Sequence, residues 1–342
     1  MRVAMYYNNR DVRLEEMTTP SAGPGELLVR VMASGICGSD VMEWYRLPKA
    51  PRVLGHEIAG EIVAVGEGSS TNSKKGDRVF VSHHVPCNTC RHCLSGHHTV
   101  CDTLRGTNYD PGGFAEVIRV PAINVDRGLY PLPAGVSFEE ATLIEPLGCA
   151  VRGQRQARMR AGQTVLVIGS GVAGLLHVQL ARALGAGRVV ASDIADLRLE
   201  AARRFGADST VSAGEDIPDH LRREGDGHLA DLVITCTGAP TAMTTALRSV
   251  ERGGTILVFA PPAPGVDIPL PMHNLWADGI TIVTSYGAGP RDISVALELI
   301  RSHRVSPTEM VTHRMGLEET GLGFALVSEA RDCLKVIIEP QR

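Results

Sequence analysis

The chain has 342 residues, more than one ordinary domain and enough for two. Apolar residues make up 44% and charged residues 21%, a balance that excludes a disordered chain. Lys and Arg total 34 against 38 Asp and Glu, a formal charge of -4, so the basic surplus of a nucleic-acid binder or of a protein held on anionic lipid is missing.

No stretch supplies the roughly 18 unbroken apolar residues of a membrane span. The greasiest region, 165–184, is interrupted by Gly, Ser, His and Gln. The opening residues reach Asn8, Asn9, Arg10 and Asp11 too soon for a signal peptide, so a cytoplasmic protein is expected.

Runs rich in β-branched residues at 26–34, 58–65, 77–82 and 114–120, bounded by Gly or Pro, predict an all-β N-terminal region. At Ser137-Phe138-Glu139-Glu140 the pattern becomes a capped helix start, continuing toward Arg160. Strands at 164–168, 188–192, 232–235 and 255–259 then alternate with helices at 171–184, 197–205 and 241–250. Such alternation implies right-handed crossovers and a parallel sheet. Two helical segments, 293–302 and 318–329, and a last strand, 334–338, do not extend that pattern. The last strand is expected to return to the N-terminal β region, which gives one discontinuous domain, 1–150 with 287–342, around a second, 151–286.

The segment Gly169-Ser170-Gly171-Val172-Ala173-Gly174 is a GxGxxG turn that directly follows a strand and opens a helix. In that setting the first glycine permits the tight turn, the second lets backbone approach a pyrophosphate, and the third lets helix pack on sheet. The helix N-terminus offers free N–H groups to phosphate. Asp193 ends the next strand, nineteen residues after Gly174, where a carboxylate accepts from ribose hydroxyls and repels a 2′-phosphate. NAD is therefore expected over NADP. Arg198 is the nearest cation and suits a contact with either cofactor. Thr237 and Phe259 follow later strands and are expected near the nicotinamide half.

Eight cysteines occur, and four of them, Cys87, Cys90, Cys93 and Cys101, fall within fifteen positions. In a large cytoplasmic chain such clustering favours metal over disulfides. Four thiolates leave no open position on zinc, so a closed structural site is expected. His92, His97 and His98 lie close enough in sequence for one to replace a Cys. A second, dispersed set comprises Cys37 in Gly35-Ile36-Cys37-Gly38-Ser39-Asp40, His56-Glu57 after Gly55, and Glu145 before Pro146. Cys, His and an acid supply S, N and O donors that suit zinc with one position open for a substrate oxygen.

These segments, together with Gly76-Asp77-Arg78-Val79 and Glu145-Pro146-Leu147, occur in the order found in the zinc-dependent medium-chain alcohol and polyol dehydrogenases, which the chain resembles over nearly its whole length. The resemblance implies an α/β protein: a split GroES-like β-rich catalytic domain, a Rossmann doubly wound parallel sheet for the cofactor, and an active site in the cleft between them. It implies that Cys37 and His56 ligate catalytic zinc and that Glu57 either binds the metal or stands beside it. Asp40 would orient His56, and Ser39 would receive the substrate proton. Glu145 stands where simple alcohol dehydrogenases carry a second Cys; an acid there resembles sorbitol-type and threonine-type relatives. It points to the secondary alcohol of a polyol, sugar alcohol or cyclitol, with threonine and amino-sugar alcohols as the alternative and a catalytically silent NAD-binding homologue as the non-enzymatic one. Two zinc ions per chain, a small-molecule alcohol substrate, no nucleic-acid or membrane partner, and a homodimer or homotetramer complete the expectation.

One departure concerns the proton relay, since relatives often carry a His where this chain has Met42. Glu43, water or the cofactor ribose is then expected to take the proton onward. Trp44 and Tyr45 are expected either to wall the pocket or to pack in the core. Arg152 either meets an anionic substrate group or sits on the surface, the commoner fate of an arginine.

Overall fold

A computed structural model describes residues 1–330 and 332–342. The chain divides into two compact units. The first comprises Met1–Glu145, Gly289–Ser302 and Pro307–Arg342, and the second Pro146–Ala288 with His303–Ser306.

The first unit is built on a seven-stranded sheet. Its path runs Val311–Gly316, Lys335–Glu339, Leu27–Gly35, Glu57–Val65, Arg78–Val81, Leu129–Pro131, and Val117–Val120 also pairs with Leu27–Gly35. Apolar side chains fill its interior: Val29, Val31, Ile58, Ile62, Val79 and Ile118 are wholly buried. The C-terminal strand does return, since Ile337 and Ile338 pair antiparallel with Gly35 and Ser34. A small sheet of Arg2–Asn8, Asp11–Glu16 and Arg52–Val53 adjoins it.

The strand expected at 114–120 forms only over Val117–Val120. Upstream, Phe114 donates its N–H to Leu54 and accepts from Ala4, and Ala115 bridges Val3. These backbone groups serve the first strands instead of the main ladder.

The second unit carries a six-stranded parallel sheet. Its order is Ser209–Ser212, Arg188–Asp193, Thr164–Ile168, Ala230–Thr235, Val250–Val258, Thr281–Thr284. That is the 3-2-1-4-5-6 order of a doubly wound dinucleotide fold. Leu166, Val190, Val233 and Ile256 are wholly buried, as central parallel strands require. The fifth strand begins five residues before the expected start, at Val250, because an irregularity in register beside Gly253 and Gly254 lets it pair early with Ala230. The helix expected to run toward Arg160 ends at Gln156, just before Arg158 turns left-handed at φ 54°.

Candidate active site and cofactor loop

Cys37 sits at the end of the strand Leu27–Gly35 and caps the helical turn Gly38–Val41. Its Sγ accepts from Ser39 N and Ser39 Oγ, both at 3.4 Å. Its own N–H donates to Asp40 Oδ2 at 3.1 Å, closing a reciprocal cap that fixes the thiol. His56 enters from the loop before Glu57–Val65. There Gly55 turns at φ 92°, and a Cβ would stand 2.8 Å from the Phe114 nitrogen, so only glycine fits.

Asp40 is wholly buried and its Oδ1 serves two partners: His56 Nδ1 at 3.3 Å and Arg46 Nη2 at 2.9 Å. The contact through Nδ1 leaves His56 Nε2 to face a metal, the usual arrangement behind a ligating imidazole. Burial depresses His56, but the Asp40 carboxylate and then the Cys37 sulfur outweigh it and hold the ring well above the ordinary histidine value. Burial likewise pushes Asp40 up, and His56 and Arg46 more than reverse it, so Asp40 lies below the usual carboxylate range.

The donor atoms of Cys37, His56 and Glu57 all lie within 4.8 Å of one another. One sulfur, one nitrogen and one carboxylate oxygen so grouped suit zinc with a coordination position to spare. Glu57 opens its strand opposite Gly35, and its buried carboxylate is paired by Lys335, which also donates to Ile36 O at 3.0 Å. A Cβ on Gly35 would stand 2.8 Å from Lys335 Cε, so the glycine makes room for that lysine.

Glu145 is buried in the first turn of Ile144–Gln156, outside the Cys37–His56–Glu57 group. Tyr109 feels it: burial first, then the charges of Glu145, Asp40 and Glu57, raise its phenol well above the ordinary value. The Tyr109 hydroxyl and His83 Nδ1 are buried polar atoms without a hydrogen-bond partner among the described residues. The His83 ring lies 5.0 Å from His56 and 3.8 Å from His84. Lys335, Arg46, His83, His84 and Tyr109 were not singled out by the sequence reading. The one available signal was a lysine directly before an apolar run, Lys335-Val336-Ile337-Ile338.

Met42 caps the turn Glu43–Arg46, and Glu43 Oε1 accepts from Asn9 N at 3.2 Å. Trp44 is 46% exposed, so it is not core packing. In the second unit Arg152 is buried at 4% exposure, which rules out the surface reading for it.

Cys87, Cys90, Cys93 and Cys101 gather their sulfurs within 4.8 Å. Cys93 Sγ lies 3.6 Å from Cys90 Sγ and 3.9 Å from Cys87 Sγ. A tetrahedron with Zn–S near 2.3 Å has edges of about 3.8 Å, so the spacing fits zinc. The backbone N–H groups of Thr89 and Cys90 point at Cys87 Sγ at 3.4 and 3.2 Å. Hydrogen bonds from Thr89, and then Cys90, pull Cys87 down to about 5, whereas burial pushes Cys93 up to about 12. A divalent cation would supply the counter-charge that lets all four ionise.

In the second unit the glycine turn follows Thr164–Ile168 and opens Val172–Ala183. Gly169 adopts φ 93°, and a Cβ on Gly174 would stand 2.9 Å from the Gly169 carbonyl carbon. Asp193 is buried at the end of its strand; Oδ2 accepts from Ser170 N at 2.7 Å and Oδ1 from Ala195 N at 3.0 Å. Arg198 Nη1 stands 3.9 Å from Asp193 Oδ2. Thr237 follows the strand Ala230–Thr235 and accepts from Ala239 N at 3.3 Å. Phe259 donates its N–H to Thr235 O at 3.1 Å and turns its ring edge-on to His177.

Comparison with known proteins agrees with both units. Residues 23–134 match the alcohol dehydrogenase GroES-like domain, and residues 172–302 the zinc-binding dehydrogenase domain. A sorbitol dehydrogenase of Bacillus subtilis is 31% identical over 100% of this chain and 98% of its own length. The chain belongs to the zinc-dependent medium-chain polyol dehydrogenase family. An L-threonine 3-dehydrogenase of Bacillus velezensis is 34% identical over 96% of this chain and 95% of its own. Among solved structures, the alcohol dehydrogenase TADH from Thermus sp. ATN1 superposes with a TM-score of 0.86 at 33% identity, covering 99% of each chain. The protein is therefore a zinc-binding, nicotinamide-dependent alcohol dehydrogenase. No helix among the described residues is long and apolar enough to cross a membrane.

Proposed function

We propose that the protein oxidises a secondary alcohol of a polyol, sugar alcohol or cyclitol with NAD, and that each chain holds two zinc ions. The observation that carries this reading is the convergence of Cys37, His56 and Glu57 from separate parts of the sequence. Cys37 and His56, with Glu57 or Glu145 as the acid, would hold the catalytic ion, and the four-cysteine loop the structural one. When bound, zinc supplies a Lewis acid for the alcohol oxygen and the nicotinamide supplies the hydride acceptor.

The chain's own residues position these partners and move the proton. Asp40 holds the His56 ring by Nδ1. Ser39 Oγ accepts a hydrogen bond from Arg46 at 3.0 Å and lies 3.4 Å from Cys37 Sγ, which orients a lone pair to take the alcohol proton. Met42 carries no proton and Arg46 never releases one. The proton would then pass from Ser39 to Glu43, to water or, with the cofactor bound, to a ribose hydroxyl. Gly169, Ser170, Gly171, Val172, Ala173 and Gly174 would cradle the pyrophosphate, Asp193 and Arg198 would meet the adenosine ribose, and Thr237 and Phe259 would stand at the nicotinamide half.

The name of the Bacillus velezensis relative supports a second reading, an amino-acid alcohol of the threonine type. Self-association into a dimer or tetramer is supported by the edge strand Thr281–Thr284 and by exposed Met272 and Trp276 on the neighbouring helix. A cytoplasmic location fits the grouping of four thiols as metal donors. The test is a panel of polyols, cyclitols and threonine with NAD and with NADP, followed by absorbance of the reduced nicotinamide. Turnover of a polyol with NAD supports the reading, and turnover of threonine alone replaces it with the second.

A further inference from the structure

Arg46 folds back onto the catalytic loop. Its Nε donates to Ser39 O at 2.9 Å, and its Nη2 donates to Ser39 Oγ at 3.0 Å and to Asp40 Oδ1 at 2.9 Å. A guanidinium has five N–H groups, and these bonds use three. The two on Nη1 have no acceptor among the described residues, although the side chain is only 13% exposed. Lys49 shares its surroundings: the Arg46 guanidinium lies 4.7 Å over the Tyr45 ring, and Lys49 Nζ lies 5.1 Å over the same ring. Lys49 has no carboxylate partner among the described residues, and the acid on the adjacent turn, Glu43, is engaged by Asn9.

The two cations are incompletely engaged. Arg46 and Lys49 stand beside Asp40, which already serves His56 as well, and Glu43, whose carboxylate accepts from Asn9 N, while Nη1 of Arg46 and Nζ of Lys49 meet no carboxylate among the described residues. The field reaches the neighbouring imidazole: burial, then His56, Arg46 and Lys49, lower His84 to about 4. His84 is thus neutral at physiological pH and adds no positive charge of its own. Arg46 is bonded to Ser39 Oγ, so the guanidinium stands one hydrogen bond away from the atom assigned to take the substrate proton.

We propose that Arg46 and Lys49 form an anion subsite beside the zinc donor group, and that the alcohol oxidised here carries a carboxylate or phosphate that docks on it. The inference rests on the polyol reading above and narrows it to sugar acids or polyol phosphates. A carboxylate or phosphate oxygen facing Nη1 makes charge-assisted hydrogen bonds, whereas a neutral hydroxyl accepts a weaker one. Discrimination is then a difference between two alcohols in the same pocket.

The experiment compares, with the zinc-loaded enzyme and NAD, matched triplets: an alditol, the aldonate of the same configuration, and the alditol phosphate. We expect kcat/KM for an anionic member to exceed that of the neutral alditol by about tenfold or more, as charge-assisted bonding implies. Which anionic member leads identifies carboxylate or phosphate. Arg46→Gln should abolish the preference, Arg46→Lys should retain part of it, and Lys49→Gln should reduce it through KM. Raising ionic strength should shrink the ratio. A neutral alditol used as well as or better than both anions overturns the inference. So does an Arg46→Gln enzyme slowed by one common factor on every substrate, because that is the mark of a residue that only holds Ser39 and Asp40. Inhibition by inorganic phosphate that competes with NAD and not with the alcohol overturns it too, assigning the charges to the cofactor. If no polyol or polyol derivative is oxidised, the proposed function fails and this inference with it; neutral polyols oxidised without anionic preference sink this inference alone.

Discussion

Lys335 reaches across 278 positions of sequence to pair with Glu57 inside the first unit, with both side chains only 1% exposed. The C-terminal strand thereby holds the acid beside His56. Removing one partner of a buried pair leaves the other charge stranded, at a cost of about 3–5 kcal/mol. Lys335→Met should therefore destabilise the protein by about that much in urea unfolding, and Glu57→Gln with Lys335→Met should recover part of the loss. A Lys335→Met protein as stable as the parent would show that the pair contributes nothing to holding the first unit.

The four-cysteine loop packs little besides its own sulfurs and Leu104. On the two-zinc reading it would depend on metal for a centre. Cys101→Ala should lower the zinc content from about two ions per chain to about one and reduce the thermal midpoint by several degrees, as loss of a structural zinc implies. Zinc analysis beside a melting curve checks both. Full zinc content in the variant would contradict the closed four-sulfur site.

Asp193 uses both carboxylate oxygens on backbone N–H groups, Ser170 and Ala195, so it shapes the glycine turn, and on the proposed reading it would also face the ribose. Asp193→Gly should shift the ratio of kcat/KM for NAD over NADP toward NADP by about tenfold or more, since a carboxylate there repels a 2′-phosphate. KM for NAD should also rise because the turn loses its anchor. An unchanged ratio would remove Asp193 from cofactor choice.

His177 is wholly buried in the second unit, with its ring edge-on to Phe259 and Nδ1 3.2 Å from Gln154 Nε2. Burial pushes its pKa down to about 3. The unfolded chain takes up the proton near pH 6.5, so between there and about 3 the unfolded state binds more protons and stability falls as pH falls. The contribution is complete above the unfolded value and is lost on the acid side. His177→Phe should flatten that part of the stability curve, read from urea midpoints between pH 7 and pH 4. An identical pH dependence in the variant would show that another group governs the acid limb.

Much of the architecture could be read from sequence because its signals are local. Gly169, Gly171 and Gly174 are spaced by the needs of one turn, and the thiols of 87–101 by those of one ion. The apolar runs of central parallel strands stand out for the same reason. What was missed depends on tertiary pairing. The strand at Ser209–Ser212 is short and polar, and only its place beside Arg188–Asp193 makes it a strand. Lys335, Arg46 and Tyr109 matter through partners far away in the chain or through a fold-back that no spacing rule encodes. Of the two readings open for Arg152, burial removes the surface one, which no spacing in the sequence could do.

Zinc counting on Cys37→Ser, paired with turnover, tests the open metal site most directly. The parent should carry about two ions per chain, and the variant about one, with its fold retained and its alcohol oxidation lost. Two ions still bound to Cys37→Ser, or turnover close to the parent's, would contradict a catalytic zinc held by Cys37 and His56.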